Sequence, residues 1–355
     1  MALDLVVLNG LASVFGGCCA NVLSLEALIK DKGSNMGTLV TFTQFLFVTL
    51  SMLPQFVTVR NGCPTLKSLH VPLRVYILSV VLFYISSSTN NSVFKYNISI
   101  PLHIVFRCFS SVITMVVCWL VAGKRYSKLQ VVSTVFLTAG AIITSLYRDH
   151  EMSLQGLQDG FRGSGAAIPT DSTFAIGICL LVVSSISSSL LSVYNEWTYK
   201  TYGKFWQENM FYTHFLSLPI FLVKDGSLLR SEIYRLAASR GVYTLVLGGN
   251  GRTLRIPRQW ALLATNVLTQ HVCIRGVNIL ASHTNALTLS FILTVRKFAS
   301  LLLSVAIYKS AMSRTAYCGV ALVFVGTLLY AVGSRRPQAS DMTTHKTAAS
   351  AQQKE

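Results

Sequence analysis

The amino-acid sequence predicts an all-α membrane protein whose ten transmembrane helices form two inverted repeats of five helices. Of its 355 residues, 52% are apolar and 12% are charged, and the mean hydropathy is +0.53. Globular domains carry about 25% charged residues, so this chain has too few to cover a water-exposed surface. The composition therefore excludes an ordinary soluble enzyme, and it excludes a disordered chain, which would be poor in apolar residues.

Ten apolar stretches underlie the predicted number of helices. A bilayer core requires about 20 mostly apolar residues per helix, and polar or Gly- and Pro-containing segments separate the stretches along this chain. The predicted spans lie at 5–29, 37–59, 73–94, 98–122, 129–147, 172–194, 209–223, 260–280, 284–308 and 316–333. A basic loop is predicted at 224–259, between the seventh span and the eighth.

Internal similarity predicts the two repeats. VFRCFSSVITMVV at 105–117 aligns without gaps with TVRKFASLLLSVA at 294–306. The alignment places Arg107 on Arg296, and it also pairs a phenylalanine and a serine from each segment. Two five-helix repeats are typical of transporters whose substrate site lies between the repeats, near the middle of the bilayer.

The repeats define the predicted domain organisation. A first five-helix repeat is expected at 1–147, a polar connecting loop at 148–171, a second repeat at 172–334 and a disordered C-terminal tail at 335–355. Basic residues in the short loops favour cytosolic termini. The predicted basic loop erases that bias, but long loops obey the positive-inside rule poorly, so cytosolic termini stay the prediction.

Three basic residues inside predicted spans provide the strongest functional signal: Arg107, Arg296 and Lys297. A charge at this depth costs roughly 3 kcal/mol on insertion scales. Glu26, near the end of the first span, is the one acid expected to be available to neutralise them. The sequence therefore predicts a water-filled cavity that receives an anion with about two negative charges, such as a diphosphate. The alternative is pairing with carbonyls and helix ends, or extension of the long side chains to the interface.

Polar and aromatic residues suited to nucleobase recognition lie on three predicted spans. Asn90 and Asn91 end the third span, FYTH at 211–214 opens the seventh, and Asn266 and Gln270 are one turn apart on the eighth. Aromatic rings stack on bases, and amides form hydrogen bonds with base edges. Together with the cations these residues predict a nucleotide site; taken singly, each is also explained as a hydrogen bond between membrane helices.

Catalytic and metal-binding motifs are absent from the sequence. It contains no GxSxG, HExxH or GxxxxGK[ST] and no carboxylate pair within one predicted span. We therefore predict no cofactor, no metal site and no nucleic-acid partner, with membrane lipid surrounding the chain. Cysteines in apolar stretches are predicted to be buried free thiols, namely Cys18, Cys19, Cys108, Cys118, Cys179 and Cys273.

Seven segments resemble one transporter family and occur in order over nearly the whole chain. They are GCCANVLSLEAL (17–28), TLVTFTQFLF (38–47), the NN and IPLHIVFR blocks (90–107), GKRYS (123–127), FYTHFLSLP (211–219), LTQHVCIRGV (268–277) and LTLSFILTVRKFASLL (287–302). In these segments the chain resembles the nucleotide-sugar transporters of the drug/metabolite transporter superfamily. Within that family it resembles the branch that carries UDP-N-acetylglucosamine and UDP-xylose (solute carrier family thirty-five, B type).

The resemblance implies which residues bind the nucleobase. FYTH at 211–214 lies where GDP-sugar relatives carry FYNN, a motif that contacts the base. Tyr212 and His214 are thereby implied in base recognition, with Asn209 assisting. Thr213 and His214 replace the two asparagines of that motif, which argues against guanine and fits a uridine-type branch.

The resemblance also implies which residues bind the sugar and the phosphates. LTVRK at 293–297 lies where relatives carry GALNK, so Arg296 and Lys297 are implied in that contact. Arg107 would be the opposing phosphate clamp from the first repeat. The remaining polar candidates are expected to line the substrate cavity: Asn90, Asn91, Asn266, Gln270 and Glu26.

The function implied by the resemblance is exchange, with UDP-sugar entering the Golgi or endoplasmic reticulum lumen and UMP leaving. The protein would be a multi-pass membrane protein with both termini in the cytosol, and it would not be an enzyme. Alternative cargoes are UDP-galactose, UDP-glucose, ATP or the sulfate donor, and a membrane-embedded transferase is the alternative from another class. The sequence contains no indication of the oligomeric state.

Overall fold

A computed structural model describes most of the chain. The described residues are 2–30, 37–60, 63–93, 96, 106–147, 172–238, 241–247, 252–308 and 313–334. The predicted connecting loop at 148–171 and the predicted tail at 335–355 lie outside the described residues.

Ten helices of at least 13 residues lie within the described part of the chain. They are α1 (Ala2–Lys30), α2 (Gly37–Phe56), α3 (Leu73–Ser92), α4 (Ser110–Ala122), α5 (Lys128–Leu146), α6 (Ser172–Tyr202), α7 (Trp206–Ala237), α8 (Arg258–His283), α9 (Ala286–Tyr308) and α10 (Arg314–Ser334). Five of them, α1, α2, α5, α6 and α10, are long and apolar enough to cross a membrane. A nearly all-helical membrane protein is confirmed, whereas ten spans in two inverted repeats stay a prediction.

The predicted loop at 224–259 is wrong for its first third, because α7 continues to Ala237. Leu229, Glu232 and Leu236 lie on one side of this extension and are buried, and both leucines belong to an apolar core cluster. A helix that buries one face tolerates charged residues on the other. The seventh span was predicted to end at residue 223 because the mean hydropathy falls there. The spacing of apolar residues expected for a helix nevertheless continues beyond that point.

Two antiparallel hairpins complete the described secondary structure. Strand β1 (Val57–Arg60) pairs with β2 (Cys63–Leu66), and β3 (Val242–Leu247) pairs with β4 (Arg252–Pro257). Asn61-Gly62, between β1 and β2 in the sequence, is the dipeptide that two-residue hairpin turns prefer. The second span was predicted to end at residue 59, but its helix ends at Phe56 because the hairpin begins there.

The chain divides into two compact units, each built from both halves of the sequence. The first unit comprises Met1–Val81 and Trp197–Thr284, and the second comprises Leu82–Glu196 and Asn285–Glu355. Two boundaries fall within α3 and α6, and the third falls between α8 and α9. These compact units are not the two predicted five-helix repeats, which are contiguous in the sequence. The division into those repeats stays a prediction.

Glycines allow one very close helix pair in the first unit. A Cβ atom added to Gly17 of α1 would lie 2.8 Å from the backbone nitrogen of Cys273 in α8, and one added to Gly276 would lie 2.7 Å from Cβ of Ser13. Small residues permit such backbone approach between membrane helices.

The same helix pair contains a disulfide bond between Cys18 and Cys273, which are separated by 255 residues in the sequence. The prediction of free thiols is therefore wrong for these two cysteines, because the close approach of α1 and α8 brings their sulfur atoms together. Five other cysteines of the described residues form no disulfide bond: Cys19, Cys108, Cys118, Cys179 and Cys318.

The second unit contains a glycine-packed pair of its own, α5 with α10. A Cβ atom added to Gly140 would lie 2.6 Å from the carbonyl oxygen of Gly319, and one added to Gly326 would lie 2.8 Å from the nitrogen of Leu137. Gly140 and Gly326 thus mediate the contact between the last helices of the two sequence halves.

Local signals explain the turn between α4 and α5. Gly123 ends α4 in the left-handed conformation, with a φ of 61°, which glycine adopts without strain. Ser127 caps α5, since its side chain accepts a hydrogen bond from the Gln130 nitrogen while the Gln130 side chain accepts one from the Ser127 nitrogen. The GKRYS segment is therefore an ordered turn that holds its basic side chains in place.

Candidate functional site

The second unit contains all three predicted intramembrane cations. Arg296 and Lys297 lie on α9, and Arg107 precedes α4 by less than one turn. Lys297 and Arg107 are exposed, although Thr294 and Phe298, which flank the α9 cations, are buried. The positive charges of Arg107 and Arg296 both act on the ammonium group of Lys297, which places the three cations in one electrostatic cluster.

No acid neutralises the two exposed cations of this cluster within the described part of the chain. Neither Arg107 nor Lys297 forms an ion pair or a hydrogen bond through its side chain to the residues described there. Like charges held close together repel each other, and an anion that binds between them removes the repulsion. The cluster therefore has the properties expected of a phosphate-binding site.

A layer of buried hydroxyl groups fixes the helices that hold the cations. The Ser111 hydroxyl of α4 lies 2.9 Å from the Thr294 hydroxyl of α9, and that of Thr114 lies 3.0 Å from the Ser189 hydroxyl of α6. Ser290 of α9 lies within 3.4 Å of both α4 hydroxyls. This layer lies within about one helical turn of the cations along the chain, so it joins the segments that carry them.

The residues implied in nucleobase recognition all lie on α7 in the first unit, and all are buried. Tyr212 is 4% exposed, and its ring stacks on Tyr76 with centroids 5.2 Å apart. Phe211 and Phe56 meet the Tyr212 ring edge-on, at centroid distances of 5.0 and 6.1 Å. Tyr212 therefore has an orientation determined by its aromatic neighbours.

His214 and Asn209 use their polar groups within the first unit. Nδ1 of His214 lies 2.6 Å from the carbonyl oxygen of Met210. The amide nitrogen of Asn209 donates to the Tyr199 hydroxyl at 2.9 Å and to Oδ1 of Asn278 at 3.2 Å. The roles of Tyr212, His214 and Asn209 in base binding stay predictions.

Asn266 is a helix-packing residue in the described arrangement. It is fully buried, and its amide nitrogen donates to the Asn21 carbonyl and the Ser24 hydroxyl, each at 3.1 Å. Its Oδ1 accepts a hydrogen bond of 2.7 Å from Gln44. Asn266 thus joins α8 to α1 and α2, as expected for amides between membrane helices, and its place in a substrate cavity stays a prediction.

The other cavity candidates are distributed between the two units. Gln270 and Glu26 lie in the first unit and Asn90 in the second, all partly exposed, whereas the side chain of Asn91 lies outside the described residues. Their assignment to a substrate cavity also stays a prediction.

Three buried glutamates were missed by the sequence analysis, because all of them lie outside the predicted spans: Glu196, Glu208 and Glu232. Oε2 of Glu232 accepts from the Leu39 nitrogen in the first turn of α2, and Oε2 of Glu196 accepts from the Ala286 nitrogen at the start of α9, each at 2.7 Å. Helix N-termini carry partial positive charge and stabilise carboxylates.

Ion pairs and hydrogen bonds complete the environment of two of these glutamates. Glu196 forms an ion pair with Lys124 of the GKRYS turn. Glu208 lies near the start of α3, where it contacts the His70 imidazole and accepts from the His70 nitrogen at 3.2 Å. These acids flank the predicted apolar stretches, but the helix ends that they reach are distant in sequence, so local patterns could not reveal the contacts.

The relationship to known proteins follows from sequence comparison. A sequence profile of the UAA transporter family matches residues 6–334. The chain belongs to the UAA transporter family. This membership confirms the resemblance to nucleotide-sugar transporters that the seven segments indicated.

Individual relatives of this UAA transporter match nearly its full length. The UDP-N-acetylglucosamine transporter YEA4 of Saccharomyces cerevisiae is 52% identical over 334 residues, covering 94% of this chain and 96% of the relative. The UDP-xylose and UDP-N-acetylglucosamine transporter of Danio rerio is 34% identical over 321 residues, covering 89% and 91%. The endoplasmic reticulum GDP-fucose transporter of Drosophila melanogaster is 35% identical over 339 residues, covering 93% and 92%.

A solved crystal structure resembles this UAA transporter with a TM-score of 0.59. The match covers 93% of this chain and 99% of the other, at 14% sequence identity. At that identity the likeness shows a shared fold and carries no information about substrate.

Proposed function

We propose that this UAA transporter is a nucleotide-sugar antiporter that moves UDP-N-acetylglucosamine from the cytosol into the Golgi or endoplasmic reticulum lumen in exchange for UMP. UDP-xylose is a second candidate cargo. The observation that carries the proposal is the electrostatic coupling of two exposed cations, Arg107 and Lys297, in a chain whose relatives are named for UDP-sugar transport. Arg296 completes the proposed phosphate site.

Charge balance explains why exchange suits this site. A UDP-sugar carries about two negative charges, and UMP carries about the same number at neutral pH, because the second pKa of a phosphomonoester is near 6. One cationic cluster can therefore hold either molecule in turn. An empty cluster would move uncompensated positive charge through the bilayer, which is costly, so occupied sites should change orientation faster than empty ones.

Helix pairing supports alternating access between two repeats. In the first unit α2 packs on α7, and in the second unit α4 packs on α9 and α5 on α10, so these six helices contact their counterparts from the other sequence half. The remaining helices pair reciprocally: α1 packs on α8, and α3 contacts α6 through Ser86 and Ser184, which exchange hydrogen bonds of 3.1 and 2.8 Å. This reciprocity is the pattern expected of inverted repeats.

Both termini are proposed to face the cytosol. In that orientation Arg125 of the ordered GKRYS turn and Lys128, the next residue after the turn, present exposed basic side chains to the cytosolic surface, in accord with the positive-inside rule. Protease treatment of sealed vesicles should therefore remove tags from both ends of the protein. Protection of either tag would contradict this orientation.

Uptake into proteoliposomes tests the function. We expect labelled UDP-N-acetylglucosamine to enter liposomes that contain UMP much faster than empty ones. Equal uptake into both would contradict strict exchange, and the absence of uptake of any UDP-sugar would contradict the proposed cargo. Liposomes prepared with a Lys297→Gln variant are the control for passive leakage.

Another nucleotide cargo is the main competing function, because a relative named for GDP-fucose transport is 35% identical to this chain. A ligand that binds the folded state raises stability by RT ln(1 + [L]/Kd). Thermal unfolding with UDP-sugars, GDP-sugars, ATP and the sulfate donor therefore ranks the cargoes. We expect the UDP-sugars and UMP to stabilise the protein most.

A membrane-embedded transferase receives less support. Such an enzyme requires an available acid or a metal ion, whereas Glu196, Glu208 and Glu232 hold helix N-termini or neighbouring donors. No group of metal ligands occurs among the residues that were described. Recovery of intact UDP-sugar from the liposome lumen would separate transport from transfer.

A further inference from the structure

Tyr76 determines the orientation of the Tyr212 ring. Tyr76 of α3 is fully buried, and its ring is nearly parallel to that of Tyr212, with an interplanar angle of 14°. Because Phe211 and Phe56 meet Tyr212 edge-on, the ring is enclosed on several sides. Tyr212 therefore cannot change its plane unless Tyr76 moves as well.

Glu208 in turn determines the position of Tyr76. Its carboxylate is 5% exposed and accepts a hydrogen bond of 3.0 Å from the Tyr76 hydroxyl. The same carboxylate accepts from the backbone nitrogen of His70 at 3.2 Å and contacts the His70 imidazole. A buried carboxylate is stable only when hydrogen-bonded, and these donors meet that requirement. Glu208 is thus anchored by the segment before α3 and holds the phenol of Tyr76.

We propose that Glu208 and Tyr76 are positioning residues for nucleobase recognition, because together they hold Tyr212 in the orientation in which it contacts the base. The inference rests on the proposed function, in which Tyr212 reads the base. A side chain that is already ordered loses less entropy when a ligand binds, so the contacts increase affinity for the base. Affinity for phosphate depends instead on the cation cluster and should not change.

Tyr76→Phe is the decisive variant. It keeps the stacked ring and removes only the hydroxyl, and Glu208 keeps both donors of His70, so the variant should fold. We expect KM for UDP-N-acetylglucosamine to rise about threefold to tenfold, the cost of ordering one side chain, with the maximal rate nearly unchanged. Glu208→Gln should raise KM in the same direction.

Inhibitors with and without a base distinguish positioning from general damage. UMP should inhibit uptake by Tyr76→Phe less strongly than uptake by the unmodified protein, whereas inorganic pyrophosphate should inhibit both proteins equally because it has no base. A merely structural defect would weaken both inhibitors to the same extent.

Glu232→Gln is the matched control, since Glu232 is also a buried glutamate on α7 but contacts the Leu39 nitrogen and not Tyr76. It should lower the thermal unfolding temperature and leave KM unchanged. An unchanged KM in Tyr76→Phe, or equal weakening of UMP and pyrophosphate inhibition, would overturn the inference. Absence of UDP-sugar uptake by the unmodified protein would overturn the proposed function instead.

Discussion

The polar side chains that we assign to substrate binding have opposite environments in the two compact units. In the first unit the amide groups of Asn209 and Asn266 and the imidazole of His214 are buried and bonded to neighbouring groups. In the second unit Arg107 and Lys297 are exposed and repel each other. Helix packing accounts for the contacts of the first-unit groups, whereas we propose that the repelling charges of the second unit bind an anionic ligand.

The scaffold of the two units is nevertheless alike. Each has one helix pair held in close contact by glycines, α1 with α8 and α5 with α10. Each also has a buried glutamate at a helix N-terminus, Glu232 at α2 and Glu196 at α9. The two units therefore share a way of packing their helices, and they differ in the charges that we assign to function.

The largest expected effect comes from removing the charges of the second unit. Lys297→Gln and Arg107→Gln should each lower uptake efficiency about tenfold to hundredfold, since a hydrogen bond to a charged group contributes about 1.5–3 kcal/mol. Lys128→Gln, at an exposed cation outside the cluster, is the control and should transport normally. Initial rates in proteoliposomes measure the effect.

The stability of the same variants tests whether the cations are structural. Neutral substitution at Lys297 should leave the thermal unfolding temperature unchanged or raise it, because it removes repulsion from Arg107 and Arg296. If the Lys297 variant unfolds at a much lower temperature and its folded fraction transports normally, Lys297 has a packing role. The difference in charge between the two units would then not concern substrate binding.

A smaller effect is expected from the glycine contacts that the units share. Gly17→Ala in the first unit and Gly326→Ala in the second should each destabilise the protein by about 1–3 kcal/mol, the usual cost of overpacking. Gly16→Ala is the matched control, because an added Cβ there meets no atom within 4 Å. Equal unfolding temperatures for Gly16→Ala and Gly17→Ala would contradict the close contact.

The smallest effect concerns the hydroxyl layer of the second unit. Ser111→Ala should cost about 0.6 kcal/mol, the average for a hydrogen bond between membrane helices. Thr294 keeps its hydrogen bond to the Ser290 carbonyl, so no buried group is left unpaired. Ser192→Ala, whose hydroxyl bonds within its own helix to Ser188, is the control. Thermal unfolding of both variants gives the difference, and a value near zero would show that the layer does not stabilise the contact.

Much of the helix content could be predicted from the sequence because apolar composition is a local property. The starts of α2 at Gly37 and α5 at Lys128 agree with the prediction within one residue, and Gly123 and Ser127 show local end signals. Predictions from mean hydropathy failed where a helix is amphipathic, as in the extension of α7 to Ala237.

Long-range contacts could not be predicted in this way. Cys18 and Cys273 were expected to be free thiols, yet they form a disulfide bond between α1 and α8. Glu232 was expected to lie in a loop, yet it lies on a helix and accepts a hydrogen bond from the first turn of α2. Neither partner is near in sequence, and a single sequence contains no record of which helix faces which.

The sequence by itself determined that this chain is a membrane protein and that its segments resemble a transporter family, and it predicted positive charge within the spans. These properties depend on residue type and order, because apolar stretches of sufficient length enter the bilayer and charged residues are costly there. Only the tertiary structure decided that Arg107 and Lys297 share one cluster while Tyr212 is ordered by Tyr76. Those outcomes depend on how helices approach each other, which is set by packing between distant segments.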